Sequence, residues 1–231
     1  MEDKILNKWL VIGVLILFFG AGIVKSININ INTNVVHGES DSWWDDDWLY
    51  RKKINVNSEM VEGSHVNFPV LIKLESDDDL AAKAQSDGDD IVFTDYSGTK
   101  LNHEIESYNN ESGGLIAWVN AESLTSESIL YMYYGNSTSS DQQNIERTWD
   151  SSYKGVWHLN ENPGDTAPQY KDSTIYGNDG TAKNMELEDQ IPGKINYAVR
   201  LNEGYNNPPQ EYIDCGSDSS IRITQDITVS S

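Results

Sequence analysis

The chain has 231 residues, enough for one or two domains, and its hydrophobic content of 38% is sufficient for a core. The formal net charge of −21 argues against nucleic acid as a partner, because phosphate binding requires a basic face. An acidic surface favours solubility and attracts cations, so divalent metal ions are candidate ligands.

The N-terminal segment carries an apolar run, residues 9–24, that contains no charged side chain. Lys4 and Lys8 precede it and a polar stretch follows, a pattern typical of a signal peptide over residues 1–26. Cleavage after Ser26 or after Gly22 fits the small residues there.

An uncleaved membrane anchor is the alternative for this segment. A membrane-spanning helix needs about 20 apolar residues, so the run is short for that role. Both alternatives predict a hydrophobic N-terminal helix and place the rest of the chain outside the cytoplasm, with the membrane contacted only through this segment. Residues 27–42 are interpreted as a polar spacer. Two sequons, at Asn110 and Asn136, agree with an exported chain that carries glycans.

Residues 43–150 predict short strands separated by Gly, Asn, Asp and Ser. Residues 66–74 alternate between apolar and other side chains, and Pro69 directs this strand to a sheet edge. Residues 115–119 and 129–134 are apolar on both faces, which predicts central strands. The one short helix candidate is residues 80–85.

Residues 151–231 contain a second series of short strand patterns, at residues 155–159 and 195–201 and in three briefer segments beyond. Strands at this spacing, with turns between them, favour β-sandwiches. The sequence therefore predicts an all-β protein with two tandem, jelly-roll-like sandwich domains, divided in the polar stretch of residues 144–153.

The first domain resembles a known family along about residues 43–145. The motifs are WLYRKKI (48–54), FPVLI (68–72), DGDDIVFTD (87–95), LNHEIE (101–106) and YMYYGN (131–136). Their order resembles the domain-of-unknown-function family numbered 2341, which occurs in bacterial and archaeal surface proteins. The family name carries no known activity.

The second domain, about residues 153–231, resembles laminin-G-like, concanavalin A-like jelly rolls. The motifs are GVWHLNE (155–161), DSTIYGNDGT (172–181), AVRLN (198–202) and DITVS (226–230). A domain of this class would be about half complete at Ser231, so we expect an incomplete second domain in a fragment or a truncated reading frame. Such a half sandwich would leave strand edges uncovered.

Enzyme signatures are absent from the sequence: it has no G-x-S-x-G elbow, H-E-x-x-H, P-loop or G-x-G-x-x-G motif. The single cysteine, Cys215, excludes an intrachain disulfide and a cysteine-based zinc site. Glu104 and Glu106 resemble part of a glucanase strand but lack a third carboxylate, and we interpret them as a solvated face. No catalytic residue is predicted.

Calcium is a candidate ligand of the loop at residues 172–179, because hard cations take oxygen ligands from Asp, Asn and main-chain carbonyls. Asp172, Asn178 and Asp179 are the candidate ligands, and the laminin-G-like resemblance implies a calcium site at a loop rim. The alternative is turn chemistry, in which these side chains bond their own backbone. No cofactor is required by either interpretation.

Trp43, Trp44 and Trp48 lie beside three aspartates, an unusual combination. Indole rings next to carboxylates suit a surface that stacks on sugars or binds a protein partner. The alternative is that the rings fix the start of the first strand against the sandwich.

The leading hypothesis is a non-catalytic, exported cell-surface protein that adheres to or binds glycans or surface proteins. An accessory binding region of a longer extracellular glycoside hydrolase and a structural envelope component are the alternatives. The ligand and the oligomeric state are not specified by the sequence.

Overall fold

The computed structural model describes residues 10–12, 15–18, 30–36, 43–56, 61–201, 210–222, 224 and 228–230. The chain divides into two compact units. The central unit is Val24–Asp150, and the terminal unit combines Met1–Ile23 with Ser151–Ser231.

Among these described residues, short antiparallel strands dominate both units, and the two α-helices are short, α1 (Asp78–Lys83) and α2 (Ile145–Thr148). The strands are β1 (Leu10–Ile12), β2 (Leu15–Phe18), β3 (Asn30–Val36), β4 (Tyr50–Asn55), β5 (Ser64–Leu74), β6 (Val92–Asp95), β7 (His103–Asn109), β8 (Gly114–Thr125), β9 (Ile129–Tyr134), β10 (Tyr153–Trp157), β11 (Thr181–Lys183), β12 (Gln190–Pro192), β13 (Tyr197–Leu201), β14 (Tyr212–Asp214) and β15 (Thr228–Ser230). The predicted all-β fold is confirmed.

The central unit is a β-sandwich of two sheets, with strand orders β3-β4-β9-β6 and β5-β8-β7. Alternate residues of each strand point inward, so both sheets contribute to one buried apolar cluster. Ile54 and Met132 enter it from the first sheet, and Ile72 and Val119 enter it from the second. These four side chains are fully buried.

The predicted places of three strands in the sheets are confirmed. β8 lies between β5 and β7, and β9 lies between β4 and β6, as their apolar character on both faces indicated. β5 is an edge strand among the described elements, as Pro69 predicted. The helix α1 begins two residues before the predicted position, because the Asp77 carboxylate caps it by accepting from the N–H groups of Asp79 and Leu80.

The described residues of the terminal unit form three small sheets, with orders β1-β13-β12, β10-β2-β15 and β11-β14. Its apolar cluster is built on Trp157, Leu159, Tyr170 and Val199, all of which are buried. The Trp157 indole N–H donates to the Asn178 carbonyl oxygen at 2.8 Å, so this ring ties β10 to the loop that precedes β11.

The predicted N-terminal hydrophobic helix is not confirmed, because the described residues of that segment form β1 and β2. β2 pairs with both β10 and β15, and β1 pairs with β13. A short apolar run suits a buried strand as well as a helix, and open strand edges offer it backbone partners. Cleavage at Gly22 or Ser26 concerns residues outside the described ones. Among the described residues, no helix is long and apolar enough to span a membrane.

The interpretation of residues 27–42 as a spacer is wrong for β3, which pairs antiparallel with β4 in the central sandwich. The sequence contained the signal for this strand. Asn and Ile alternate from residue 27 to residue 32, and this period of two is the pattern of a strand with two different faces.

His103 lies on β7 inside the central unit, fully buried and with its ring edge-on to Phe93 at a centroid distance of 5.3 Å. The pKa of His103 is lowered to about 4, chiefly by burial and to a smaller extent by nearby Lys100, against the raising effects of the Leu101 carbonyl and Asp141. The imidazole is therefore neutral in the native protein at neutral pH.

We predict that His103 makes the central unit acid-sensitive. The unfolded chain takes up a proton near pH 6.5 and the native chain only near pH 4, so stability falls as the pH falls through this window. Between pH 7 and pH 4, the unfolding free energy of His103→Leu should fall by on the order of 3 kcal/mol less than that of the parent chain. Urea titrations between pH 4 and pH 7 measure the effect, and His65→Leu, at an exposed position on β5, is the control. An unchanged pH profile in His103→Leu would contradict the prediction.

Candidate functional site

An open groove of about 410 Å³ lies at one end of the central sandwich. It separates the turn after β6 from the hairpin that joins β8 to β9. Asp95 pairs with Leu130 in the sheet, and this register brings the two turns together. We call it the Tyr96 groove; its lining is residues 95–97, Ser123, Thr125 and residues 127–130.

The first wall of the Tyr96 groove is a tight turn organised by Asp95. The Asp95 carboxylate accepts hydrogen bonds from the Ser97 hydroxyl at 2.7 Å and from the Thr99 N–H at 2.8 Å. Gly98 has a φ of 87°, which side-chain-bearing residues rarely adopt. The turn therefore fixes the backbone of Tyr96 while the ring stays 67% exposed.

The second wall is the β8–β9 hairpin turn, held by its own hydroxyl groups. The Ser128 hydroxyl accepts from the Thr125 N–H at 2.8 Å, and the Thr125 hydroxyl accepts from the Glu127 N–H at 3.3 Å. Glu127 and Ser123 are exposed on this wall. Both walls are thus ordered by local hydrogen bonds, which reduces the entropy lost when a ligand binds.

The groove combines an exposed aromatic ring, two carboxylates and several hydroxyl groups. A ring face packs against apolar C–H surfaces, and carboxylates accept hydrogen bonds from ligand hydroxyl or ammonium groups. This site was not predicted from the sequence. The exposed tyrosine in a Gly-containing turn, Asp95-Tyr96-Ser97-Gly98, was the available signal, but its partners lie about thirty residues away along the chain.

The predicted ligand-binding residues Trp43, Trp44 and Trp48 lie against the outer face of the sheet that contains β4, β9 and β6. Trp48 is only 6% exposed, and its indole N–H donates to the Asp90 carbonyl oxygen at 2.7 Å. The Trp43 indole N–H donates to the Trp48 carbonyl oxygen at 2.8 Å. These contacts favour the second interpretation, in which the rings fix the start of the first domain.

Arg51 and Tyr133 complete this tryptophan cluster. The Arg51 guanidinium carbon lies 4.8 Å from the centre of the Trp43 ring, and the guanidinium donates to the Tyr133 hydroxyl at 3.2 Å. Trp43 and Trp44 both meet Tyr133 edge-on. Trp43 and Trp44 are half-buried, so part of each ring remains accessible on this face.

Asp90 lies beneath Trp48 and is fully buried. Its carboxylate accepts from three backbone N–H groups, those of Gln85 at 2.9 Å, Gly135 at 2.6 Å and Asn136 at 3.0 Å. Burial raises the pKa of Asp90, and these three hydrogen bonds act in the opposite direction. This one side chain joins the residues that follow α1 to the end of β9.

The calcium candidates in the terminal unit occupy a closed loop. The Asp172 carboxylate accepts four hydrogen bonds, from the Val156 N–H, the Thr174 N–H and hydroxyl, and the Asn178 N–H, at 2.8–3.0 Å. A cation would have to displace these donors to bind Asp172. The observed role of Asp172 is to shape the loop.

Asn178 and Asp179 are engaged in the same loop. The Asn178 amide donates to the Lys154 carbonyl oxygen, and the Asp179 carboxylate accepts from the Asp172 N–H and from the Lys171 ammonium. In the part of the chain that the structure describes, no three His, Cys, Asp or Glu residues form a group suited to a metal ion. Calcium binding at this loop stays a prediction.

The two sequons differ in exposure. Asn110 is exposed in the β7–β8 turn, whereas Asn136 is only 8% exposed. The Asn136 side-chain oxygen accepts from both the N–H and the hydroxyl of Thr138 at 3.0 Å.

Glu104 and Glu106 are not a solvated face, and that interpretation is wrong for Glu104, which is 6% exposed. The Trp149 indole N–H donates to Glu104 at 2.8 Å, and the Trp118 indole N–H donates to Glu106 at 2.9 Å. The two indoles pack on each other at a ring distance of 5.3 Å. The residues after α2 therefore cover this side of the sandwich.

Comparison with known families matches residues 87–165 to the domain of unknown function DUF2341. The resemblance noted in the sequence is confirmed for residues 87–145. The match contains the Tyr96 groove, Asp90 and the two tryptophan–glutamate pairs, and it continues beyond residue 145, where the resemblance was expected to end. No curated protein and no solved structure matches the chain.

We predict that Asp90→Asn destabilises the central unit by about 2–3 kcal/mol. The amide NH₂ would face at least one of the three backbone N–H donors that the carboxylate now accepts, leaving a buried donor unsatisfied. Chemical denaturation measures the loss, with Asp89→Asn, at the adjacent partly exposed position, as the control. Equal stability of the two variants would show that Asp90 is not a required acceptor.

We predict that a host that glycosylates Asn-x-Ser/Thr sequons attaches glycan to Asn110 and not to Asn136 in the folded chain. The transferase must reach the side-chain nitrogen, and the Asn136 side chain is buried in its turn. Peptide mass spectrometry of the purified chain and of its Asn110→Gln and Asn136→Gln variants locates the glycan. A glycan on Asn136 alone would reverse the assignment.

Proposed function

We propose that this chain is an exported, non-catalytic cell-surface protein whose central unit binds carbohydrate in the Tyr96 groove. The observation that carries the proposal is the exposed Tyr96 side chain, fixed by a rigid turn in a groove that Asp95 and Glu127 also line. A sugar ring presents an apolar face for stacking and hydroxyl groups at its edge, and the groove offers a partner for each.

The charge of the groove restricts the class of glycan. Asp95 and Glu127 favour neutral or amino sugars and repel sialylated or sulfated ones, and the net charge of −21 acts in the same direction. An open groove at the end of a sandwich suits a chain end or a short oligosaccharide. Adhesion to surface glycans follows from this type of site, and surface proteins that carry such glycans are the proposed partners.

A non-catalytic role is supported by the environment of the acidic pairs. Glycoside hydrolysis needs two carboxylates on opposite sides of the scissile bond, one of them able to donate a proton. Glu104 and Glu106 each accept from an indole N–H and are covered by the residues after α2. Asp95 is engaged by its own turn.

Export rests on the sequence of the N-terminal segment, with its basic residues before an apolar run, and on the exposed sequon at Asn110. We propose a location at the cell surface or outside the cell. The terminal unit is proposed to be part of a laminin-G-like, concanavalin A-like jelly roll, on the strength of its sequence motifs and its core around Trp157.

We predict that Tyr96→Ala weakens glycan binding about tenfold, equivalent to about 1.4 kcal/mol, through loss of ring stacking. The full chain is first tested on an array of neutral, amino and acidic oligosaccharides, and the retained sugar is then titrated by calorimetry. Tyr212→Ala, at an exposed tyrosine in the terminal unit, is the matched control and should bind as the parent does.

The outcomes separate the alternatives. Binding that is lost in Tyr96→Ala and kept in Tyr212→Ala supports the groove. Binding that persists in both variants would show that the glycan binds outside the Tyr96 groove. Retention of no oligosaccharide at all contradicts the proposal and favours a structural envelope component, while hydrolysis of an array sugar favours a region of an extracellular hydrolase.

A further inference from the structure

Lys52 occupies an unusual place for a lysine, the inner face of β4 between Tyr50 and Ile54. It is 7% exposed, and Ile54 beside it on the same face is fully buried. A buried ammonium is costly unless it is closely paired, so its partners decide its chemistry.

The partners of Lys52 are two carboxylates at the start of α1. Its ammonium nitrogen is in direct contact with the Asp77 carboxylate and lies 3.7 Å from an Asp79 oxygen. The Lys52 and Asp77 side chains are 8% and 12% exposed. By contrast, Lys73 and Glu75 form an ordinary surface pair at 3.0 Å in which the glutamate is 85% exposed.

The two oxygens of Asp77 have different environments. One accepts from the backbone N–H groups of Asp79 at 3.1 Å and Leu80 at 3.0 Å, and the other faces the Lys52 amine. Hydrogen bonds to one oxygen polarise the carboxyl carbon and stabilise negative charge on that oxygen during attack by a nucleophile. The amine is therefore held against an activated carboxyl group.

We propose that Lys52 and Asp77 react to form an intramolecular amide, an isopeptide bond, with Asp79 as the proton carrier. The ammonium first passes one proton to the Asp77 oxygen it contacts, which leaves a neutral amine and a carboxylic acid. The amine nitrogen attacks the carboxyl carbon. Asp79 takes a proton from that nitrogen and delivers it to the hydroxyl group, which leaves as water. One C–N bond forms, one C–O bond breaks, and Asp79 is regenerated.

The reacting pair lies among buried and fixed side chains. Tyr134 is fully buried beside it, and burial raises the pKa of its phenol, with the Asp79 and Asp77 carboxylates acting in the same direction. Lys83 donates to the other Asp79 oxygen at 2.5 Å and so fixes that carboxylate next to the reacting nitrogen.

The bond would join β4 to the residue that caps α1, closing a covalent loop between positions 52 and 77. Such a cross-link constrains the unfolded chain in the manner of a disulfide, yet needs no cysteine and resists reduction. The central unit contains no cysteine, since the single one is Cys215.

Peptide mass spectrometry of the folded, purified full chain tests the proposal directly. Trypsin should yield residues 52–53 joined to residues 74–83, lighter than the sum of the two peptides by one water, about 18 Da. Fragmentation should place the link on Asp77. Recovering residues 74–83 only as an unlinked peptide of unmodified mass would overturn the proposal, whatever the variants do.

Asp79→Asn separates the chemistry from the ion pair. This change keeps the backbone N–H and the Lys52–Asp77 contact but removes the proton carrier, so the linked peptide should fall at least tenfold at equal folding time. Lys52→Arg keeps the positive charge and should give no linked peptide. Lys73→Arg, in the surface pair, is the control and should leave the link complete. A linked peptide of equal yield in Asp79→Asn would remove Asp79 from the proposed reaction.

Discussion

The buried carboxylate of Asp90 is the contact on which much of the central unit depends. Three backbone N–H groups donate hydrogen bonds to this carboxylate. The main-chain carbonyl oxygen of Asp90 accepts from the Trp48 indole N–H. Burial disfavours its charge, and the three hydrogen bonds offset that penalty. The strand after it, β6, is thereby fixed against β9, and the Tyr96 groove opens at the far end of this pair of strands.

Much of the central sandwich could be predicted from the sequence, because alternation and apolar runs report directly on sheet faces. The apolar runs of β8 and β9 predicted central strands, and Pro69 predicted an edge. Contacts between side chains that are distant in sequence could not be predicted from these local patterns. Glu104 was expected to face solvent. No local sequence pattern around it indicates that Trp149, which is distant in sequence, covers it. The same limit hid the groove, whose walls meet only through strand register.

Acidic side chains serve several distinct purposes in this chain, although its composition suggests only a solvated coat. Asp90 and Asp172 organise backbone in buried positions, where each carboxylate is saturated by donors. Asp77 and Asp79 hold a buried lysine. Glu127 is exposed at the Tyr96 groove, and Asp95 lines the same groove while it holds its own turn through Ser97 and Thr99. Environment, and not residue type, therefore separates structural carboxylates from those available to a ligand.

Pro69 has a consequence for molecules crowded side by side. β5 spans eleven residues at the border of its sheet, and a long border strand offers a row of backbone groups with which a neighbouring copy could pair. Proline supplies no N–H and so interrupts that row near its middle. Copies of this chain that are packed closely side by side would therefore not pair strand to strand into a continuous fibre.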